Sequence, residues 1–158
     1  MGTTNSDIIN RFFTSPNRGS YYPKGKHCGF DGDVLSSFGH AIATLAPARD
    51  KQSKVCFVTT QNICNCYVRQ HLELIKTLSP WEVIPIRNVF DIEDSIAQMS
   101  TALAHFVRQY KFTTSEWHKG FYRGEIQRQY ANLLRIHIRY KPIAVVIYYK
   151  KFVEELGG

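Results

Sequence analysis

The sequence predicts an α+β fold in which a small, mostly antiparallel sheet is packed by three helices. Short β-branched and aromatic runs bounded by turn residues indicate strands in the first half of the chain. Apolar residues at steps of three and four indicate helices in the second half. The 158 residues, 44% of them hydrophobic, are enough for one buried core. We therefore predict a single domain over residues 1–158, with a loop-rich N-terminal segment over residues 1–34.

The N-terminal segment combines one short apolar stretch with turn residues. Residues 7–13 place their isoleucines and phenylalanines on one face, which predicts a short helix or an arm. Residues 15–29 read as a long loop that interleaves tyrosine with lysine, a combination suited to stacking on bases while ammonium groups hold phosphate. The candidate binding residues here are Tyr21, Tyr22, Lys24 and Lys26. The alternative is a loop whose tyrosines pack back on the core.

Two strands and a helix form the middle of the predicted fold. Residues 39–45 and 54–58 are predicted strands joined by a basic loop, and the second strand leads through a polar corner into a helix that Ser79-Pro80 ends. We expect Thr60 or Asn62 to cap this helix. Because a helix N-terminus beside hydroxyls can also hold an anion, the corner is a possible anion pocket, formed by Thr59, Thr60 and Asn62. Structural capping is the default interpretation.

The second half is predicted to be mainly helical. Residues 81–89 contain a proline, which favours an edge strand. Helices are predicted over residues 92–110 and 116–140, where Trp117 and Phe121 are assigned to the same broad apolar face as Ile126 and Leu133. Two glycines weaken the start of the second helix, so its regular part is expected to begin near Glu125. The run at residues 143–149 is short and β-branched, which favours a buried strand.

The chain is basic, with a net charge of +7 and a pI of about 9.3. This balance favours a polyanionic partner, although a solvated basic face has the same composition. Residues 116–151 hold eight Lys and Arg residues against two acids, a net charge of +6. Steps of seven and four residues place Arg128, Arg135 and Arg139 on one helix face. They form a candidate basic stripe for phosphates or an acidic protein, and Arg123 is a further candidate binding residue.

No motif identifies a reaction. The cysteines at 28, 56, 64 and 66 lack the ligand spacing of a zinc site, so we predict no metal and no cofactor. An alternative is an enzyme acting on nucleotides or phosphodiesters, with Asp31, Asp33, His40 and Thr60 in one pocket. The sequence Asp31-Gly32-Asp33 is equally typical of a turn, and we assign no catalytic residue.

The chain is expected to be cytoplasmic and to have no membrane partner. The first residues lack an apolar run of signal-peptide length, and no stretch approaches the length of a membrane span. A chain of this size does not need disulfides for stability, so its cysteines are expected to be reduced.

The order Ser37-Phe38-Gly39, a strand, a short loop and a second strand ending in Thr59-Thr60 resembles a domain of unknown function found in small phage- and plasmid-borne proteins. Asn62 and Cys64 stand where that pattern usually has a basic residue or histidine. The resemblance implies a mobile-element accessory protein in the host cytoplasm, active by binding in host takeover or counter-defence.

Three interpretations remain open. The preferred interpretation is a non-catalytic binding protein that engages nucleic acid, or a host nucleic-acid-handling protein, through its basic surfaces. The second is the enzyme described above. The third is a purely protein–protein module, which would present an exposed aromatic patch instead of a basic one. The sequence leaves the oligomeric state open.

Overall fold

The computed structural model describes residues 3–15, 19–61 and 65–157. Within these residues it has five helices and one six-stranded sheet. The chain divides into two compact units, Met1–Ile92 and Glu93–Gly158. An α+β fold with a mostly antiparallel sheet is confirmed, but the predicted count of three helices is wrong. The single domain over residues 1–158 stays a prediction.

The first unit contains the sheet and two helices. Its elements are α1 (Asn5–Thr14), β1 (Ser20–Tyr21), β2 (Cys28–Asp31), β3 (Val34–Ser37), β4 (His40–Pro47), β5 (Lys54–Thr59), α2 (Cys66–Leu78) and β6 (Val83–Ile86). The strands are ordered β1-β2-β3-β4-β5-β6, and all neighbours are antiparallel except the parallel pair β5 and β6. The N-terminal segment predicted to be rich in loops therefore contains α1, β1 and β2. Its Asp31-Gly32-Asp33 sequence forms a turn, as the turn interpretation expected.

The two helices of the first unit share a hydrophobic core with the sheet. On α1, Ile8, Ile9 and Phe12 are fully buried, which the one-face spacing of residues 7–13 predicted. From α2, Val68 and Ile75 join the same core. The sheet contributes its inward-facing side chains, Phe30, Leu35, Ile42, Leu45, Cys56 and Val58. Burial of these apolar surfaces is the main source of stability for the unit.

The corner after β5 differs from the prediction. Helix α2 begins at Cys66, and its N-cap is Asn65, whose Oδ1 accepts a hydrogen bond from the backbone N–H of Tyr67 at 2.9 Å. The prediction that Thr60 caps this helix is wrong, because Thr60 lies several residues before the first turn. Asn62 and Cys64 lie outside the described residues. The predicted end of the helix at Ser79 is confirmed.

The second unit consists of three helices, α3 (Ile92–Phe112), α4 (Glu116–Arg139) and α5 (Ala144–Glu155). The ring of Phe106 on α3 meets Tyr122 on α4, and Glu93 at the start of α3 pairs with Lys141 beyond the end of α4. Tyr130 Oη donates to the Val146 carbonyl oxygen on α5 at 3.2 Å. These contacts connect three successive antiparallel helices.

Two details of the second unit correct the sequence predictions. The strand predicted over residues 143–149 is wrong, because this run forms the first turns of α5. Its buried residues, Ile143 and Val146, are three apart, which is the spacing of a helix face. Helix α4 is regular from Glu116, before Gly120 and Gly124, and not from Glu125 as expected.

Glycines at two positions have opposite effects on stability. At Gly39 the backbone φ is +78°, a conformation that alanine rarely adopts, so Gly39→Ala should lower the free energy of unfolding by about 1–2 kcal/mol. Gly124 lies in a helix with open space around its α-carbon, so Gly124→Ala should raise that free energy by about 1 kcal/mol. Urea unfolding followed by circular dichroism measures both changes. A stabilising Gly39→Ala variant would contradict the geometry of the turn.

Candidate functional site

The turn between β3 and β4 consists of Phe38 and Gly39. Ser37 pairs with His40 across the hairpin, and both turn residues have positive φ, 52° and 78°. Such a two-residue turn matches the twist of the strands but normally has small or polar residues at both positions. A phenylalanine there carries backbone strain of roughly 1–2 kcal/mol. Strain of this kind persists where surrounding contacts compensate for it, and it is concentrated at functional sites.

The contacts that hold Phe38 are aromatic. Its ring stacks on the His27 ring, with centroids 4.3 Å apart and an interplanar angle of 15°. The rings of Tyr67 and His71, both on α2, lie nearly parallel to it at 5.8 Å and 6.3 Å. We call these four rings the ring stack. His27 and Tyr67 are exposed, so the ring stack reaches the protein surface.

A buried hydrogen bond joins the sheet to α2 beneath the ring stack. Ser37 Oγ and His71 Nδ1 are 2.5 Å apart, and both residues are almost fully buried. Burial, and to a smaller extent the charge of His27, lower the pKa of His71. In its neutral form, the His71 ring can accept a hydrogen bond from the Ser37 hydroxyl at Nδ1. Because neither atom is exposed, the pair holds the turn in place and does not offer a nucleophile to solvent.

A pocket of about 420 Å³ lies beside the ring stack. Its lining residues are Tyr22, Lys26, His27, Ser36, Phe38 and Gly39. The loop before it is shaped by a turn at Pro23, whose carbonyl oxygen accepts the Lys26 N–H at 3.1 Å. A side chain at Gly29 would overlap the ring of Tyr22, so the glycine allows this ring to lie across β2. We call this the tyrosine–lysine pocket.

The four candidate residues of the N-terminal loop lie in different environments. Tyr22 is 58% exposed and Lys26 is exposed, and both line the tyrosine–lysine pocket. Lys24 is exposed on the preceding turn. The ring of Tyr21 packs on Phe30, and the Arg11 guanidinium lies 4.1 Å from its centroid. Tyr21 therefore packs on the core, as the alternative interpretation expected, and its ring face is covered.

At the corner after β5, most hydrogen-bonding groups are used within the fold. Thr59 Oγ1 donates to the Arg87 carbonyl oxygen at 3.3 Å and accepts the Gln61 N–H at 3.1 Å. The Thr60 N–H donates to the Ile86 carbonyl oxygen at 2.8 Å. These bonds join the ends of β5 and β6. The possible anion pocket at Thr59, Thr60 and Asn62 stays a prediction, but its backbone donors at Thr60 and Gln61 are already engaged.

The residues of the alternative enzyme pocket are spread along the β3 strand. Asp31 pairs with Val34 at one end of β3, and His40 pairs with Ser37 at the other end. Three residue steps along a strand correspond to about 10 Å. The Ser20 hydroxyl donates a hydrogen bond to Asp31 Oδ1, with the two oxygens 2.8 Å apart, so this carboxylate has a structural partner. Among the described residues there is no group of three acidic, histidine or cysteine side chains that could hold a metal.

Burial accounts for two of the cysteines. It raises the pKa of Cys28 to about 11 and that of Cys56 to about 12, so both thiols are protonated at neutral pH. Cys66, at the start of α2, is exposed.

The arginines of α4 also differ in environment. Arg128 and Arg139 are exposed, whereas Arg135 is half-buried. Arg128 pairs with Glu125 on its own helix. Arg123 donates to Tyr110 Oη at 3.3 Å, which connects α4 to α3. A guanidinium has five N–H donors, so one partner leaves Arg128 able to contact a phosphate.

Two aromatic residues on α4 were wrongly assigned to its buried face. Trp117 is 74% exposed and Phe121 is 49% exposed, and their rings are parallel within 2° with centroids 6.1 Å apart. Steps of seven, seven and four residues lead from Phe121 to Arg128, Arg135 and Arg139. These arginines therefore lie on the same face of α4 as the two rings. We call the face formed by Trp117, Phe121, Arg128, Arg135 and Arg139 the aromatic–basic face.

Searches among protein-family models, curated proteins and solved structures found no match to this chain. The resemblance to a domain of phage- and plasmid-borne proteins stays a prediction. None of the helices in the described residues has the length and apolar character of a membrane span.

The lowered pKa of His71 makes stability depend on pH. Because the fold disfavours the protonated ring, the unfolded chain binds the proton more readily. This contribution to stability is complete above the ordinary histidine pKa and is lost as the pH falls through the lowered pKa. Urea unfolding between about pH 7.5 and about pH 5 should therefore show falling stability, and His71→Asn should reduce that slope.

His105→Asn, at an exposed position on α3, is the matched control for removing an imidazole. A direct NMR titration of the His71 ring in the wild-type protein tests the same point without a variant. A titration midpoint at or above that of a free histidine would contradict the prediction.

Proposed function

We propose that the protein binds single-stranded nucleic acid without changing it chemically. The observation that supports this proposal is the aromatic–basic face of α4, where two exposed parallel rings are in line with exposed arginines. Exposed apolar side chains that are grouped in one patch often mark an interaction site. A surface that joins such rings to positive charge fits a partner with flat bases and a phosphate backbone.

The length of the aromatic–basic face also fits a single strand of nucleic acid. From residue 117 to residue 139 the helix rises about 33 Å, at 1.5 Å per residue. That distance accommodates several nucleotides, and groove-type sites for single strands commonly cover about 4–16. The net charge of +6 over residues 116–151 favours the same partner. Bases stack freely on protein rings when they are unpaired, which favours a single strand over a duplex.

The tyrosine–lysine pocket in the first unit is a second contact in this proposal. Tyr22 and the ring stack present ring faces, while Lys24 and Lys26 present ammonium groups for phosphate. The combination of ring faces and cations is again the one that single-strand binding uses.

Enzymatic action on a nucleotide has less support. The catalytic groups required by that alternative lie at opposite ends of β3, about 10 Å apart, which exceeds the hydrogen-bond reach that proton transfer requires. A role in binding asks only that the exposed rings and cations be accessible. Non-catalytic binding is therefore the function that the geometry supports best.

Substitutions on the aromatic–basic face should weaken strand binding in two distinguishable ways. Trp117→Ala should reduce affinity for a single-stranded oligonucleotide by roughly five- to a hundredfold at any salt concentration, because a stacking contact is lost. Arg128→Ala together with Arg139→Ala should reduce the slope of log affinity against log salt by about one to two, because phosphate contacts are lost. Fluorescence anisotropy at several salt concentrations measures both effects.

Matched controls lie elsewhere in the same unit. Tyr148→Ala removes a ring that is 78% exposed on α5, and Arg108→Ala removes an exposed charge on α3. Both should bind like the wild-type protein. Salt-independent binding, or equal losses in the controls and the α4 variants, would refute the proposal. A partner that is captured from lysate and survives nuclease treatment would favour a protein ligand instead.

A further inference from the structure

A second pocket, of about 260 Å³, lies at the edge of the sheet where β5 and β6 end. Because these two strands are parallel, their carboxyl ends reach the same edge, and β4 begins there because it runs antiparallel to β5. The pocket is lined by residues of all three strand ends, among them His40, Thr59, Gln61, Asn88 and Phe90. In open sheets, the carboxyl ends of parallel strands are where ligands commonly bind.

Hydrogen bonds within the fold hold the walls of this pocket. Thr59 connects to the Arg87 carbonyl oxygen and the Gln61 N–H, as described above. On the opposite wall, Asn88 Oδ1 accepts the Phe90 N–H at 3.0 Å. The backbone on both sides is therefore fixed before any ligand arrives, which lowers the entropic cost of binding.

Among the described residues, three side chains at the pocket make no hydrogen bond or ring contact through their polar or aromatic groups. Among the described residues, neither the Gln61 carboxamide nor the His40 ring has a hydrogen-bond partner. Phe90 is 75% exposed, and its ring contacts no other ring in the described part of the chain. The pocket thus combines one exposed aromatic face with a carboxamide that can donate and accept at the same time.

We infer that this pocket binds a single nucleobase. A carboxamide pairs with the donor–acceptor edge of a base, and an exposed phenylalanine stacks on its face. The volume of about 260 Å³ accommodates one flat heterocycle. The inference rests on the proposed function, because it names the part of the strand that the pocket recognises. The tyrosine–lysine pocket shares Gly39 with it, so the two sites adjoin along one edge.

The same geometry disfavours an anion as the occupant. The Thr59 hydroxyl donates a hydrogen bond to a carbonyl oxygen, and the N–H groups of Thr60 and Gln61 also donate hydrogen bonds within the fold. Among the residues that the structure describes, no lysine or arginine lines the pocket. A phosphate would find few donors there, whereas the edge of a neutral base needs only the free carboxamide and the imidazole.

The test uses the four common ribonucleosides and ribose 5-phosphate as separate probes, followed by NMR of the full chain. At least one nucleoside should shift the backbone amides of Gln61 and Phe90, with a millimolar or tighter Kd. Gln61→Ala and Phe90→Ala should each weaken that binding by on the order of tenfold. Matched controls are Gln52→Ala in the loop after β4 and Phe112→Ala at the end of α3, both exposed positions.

The arms separate the possible outcomes. Shifts at Gln61 and Phe90 by ribose 5-phosphate but by no nucleoside would overturn the inference in favour of an anion site. Equal binding in Gln61→Ala, Phe90→Ala and the controls would also overturn it. Oligonucleotide anisotropy is measured on the same variants. If Gln61→Ala and Phe90→Ala lose their preference among bases but keep most of their affinity for the oligonucleotide, the inference is supported. Nucleoside binding without strand binding supports the pocket and refutes the proposed function alone.

Discussion

The two-residue turn of Phe38 and Gly39 constrains the first unit more than any other feature. It fixes the pairing of Ser37 with His40 and, through it, which side chains of β3 and β4 face inward. Ser37 consequently points into the core, where it meets His71, while the half-buried Phe38 ring stacks on His27 and Tyr67. The strained backbone of Phe38 is compensated by these ring contacts. The tyrosine–lysine pocket and the pocket at the ends of β5 and β6 both border this turn.

The long helices and strand β5 could be predicted from the sequence because each has a strong and regular pattern. Helix α3 repeats its apolar residues over many turns, and β5 is a β-branched run that is buried almost throughout. The edge position predicted for the proline-containing strand is confirmed by β6. Strands β2 and β3 are not predicted because half of their residues are glycine, aspartate or serine, which are poor strand formers. Their pairing depends on neighbouring strands, which local propensity does not record.

The error at α5 has a different physical origin. A run of β-branched residues favours a strand when it is considered alone, but packing against α4 decides the outcome here. In the helix, Ile143 and Val146 are buried while Ile147 and Tyr148 face solvent. His137 also contributes, because its Nδ1 accepts the Ile143 N–H at 2.8 Å in place of a conventional cap. That bond depends on a side chain six residues away, so nothing at residue 143 itself indicates it.

The candidate site shows what helix phase can and cannot indicate. Trp117 and Phe121 were grouped with Ile126 and Leu133 because all are apolar, yet five residues from Phe121 to Ile126 is well short of a whole number of turns. Helix phase therefore places Trp117 and Phe121 on a different face from Ile126 and Leu133. The tyrosine–lysine pocket is different, because it depends on a turn and a glycine distant from Tyr22 along the strands. This proximity results from the register of the strands, which amino-acid composition does not indicate.

Gly39 belongs to the lining of both pockets at the sheet edge, and this has a thermodynamic consequence. Any ligand that changes the conformation of the turn when it occupies one pocket must alter the affinity of the other. By reciprocity, the second ligand then alters the first by the same factor. Under the proposed function, pockets coupled in this way would not act as independent modules that can be tuned separately. A substitution that stiffens the turn would act on the cooperativity between them as well as on each affinity.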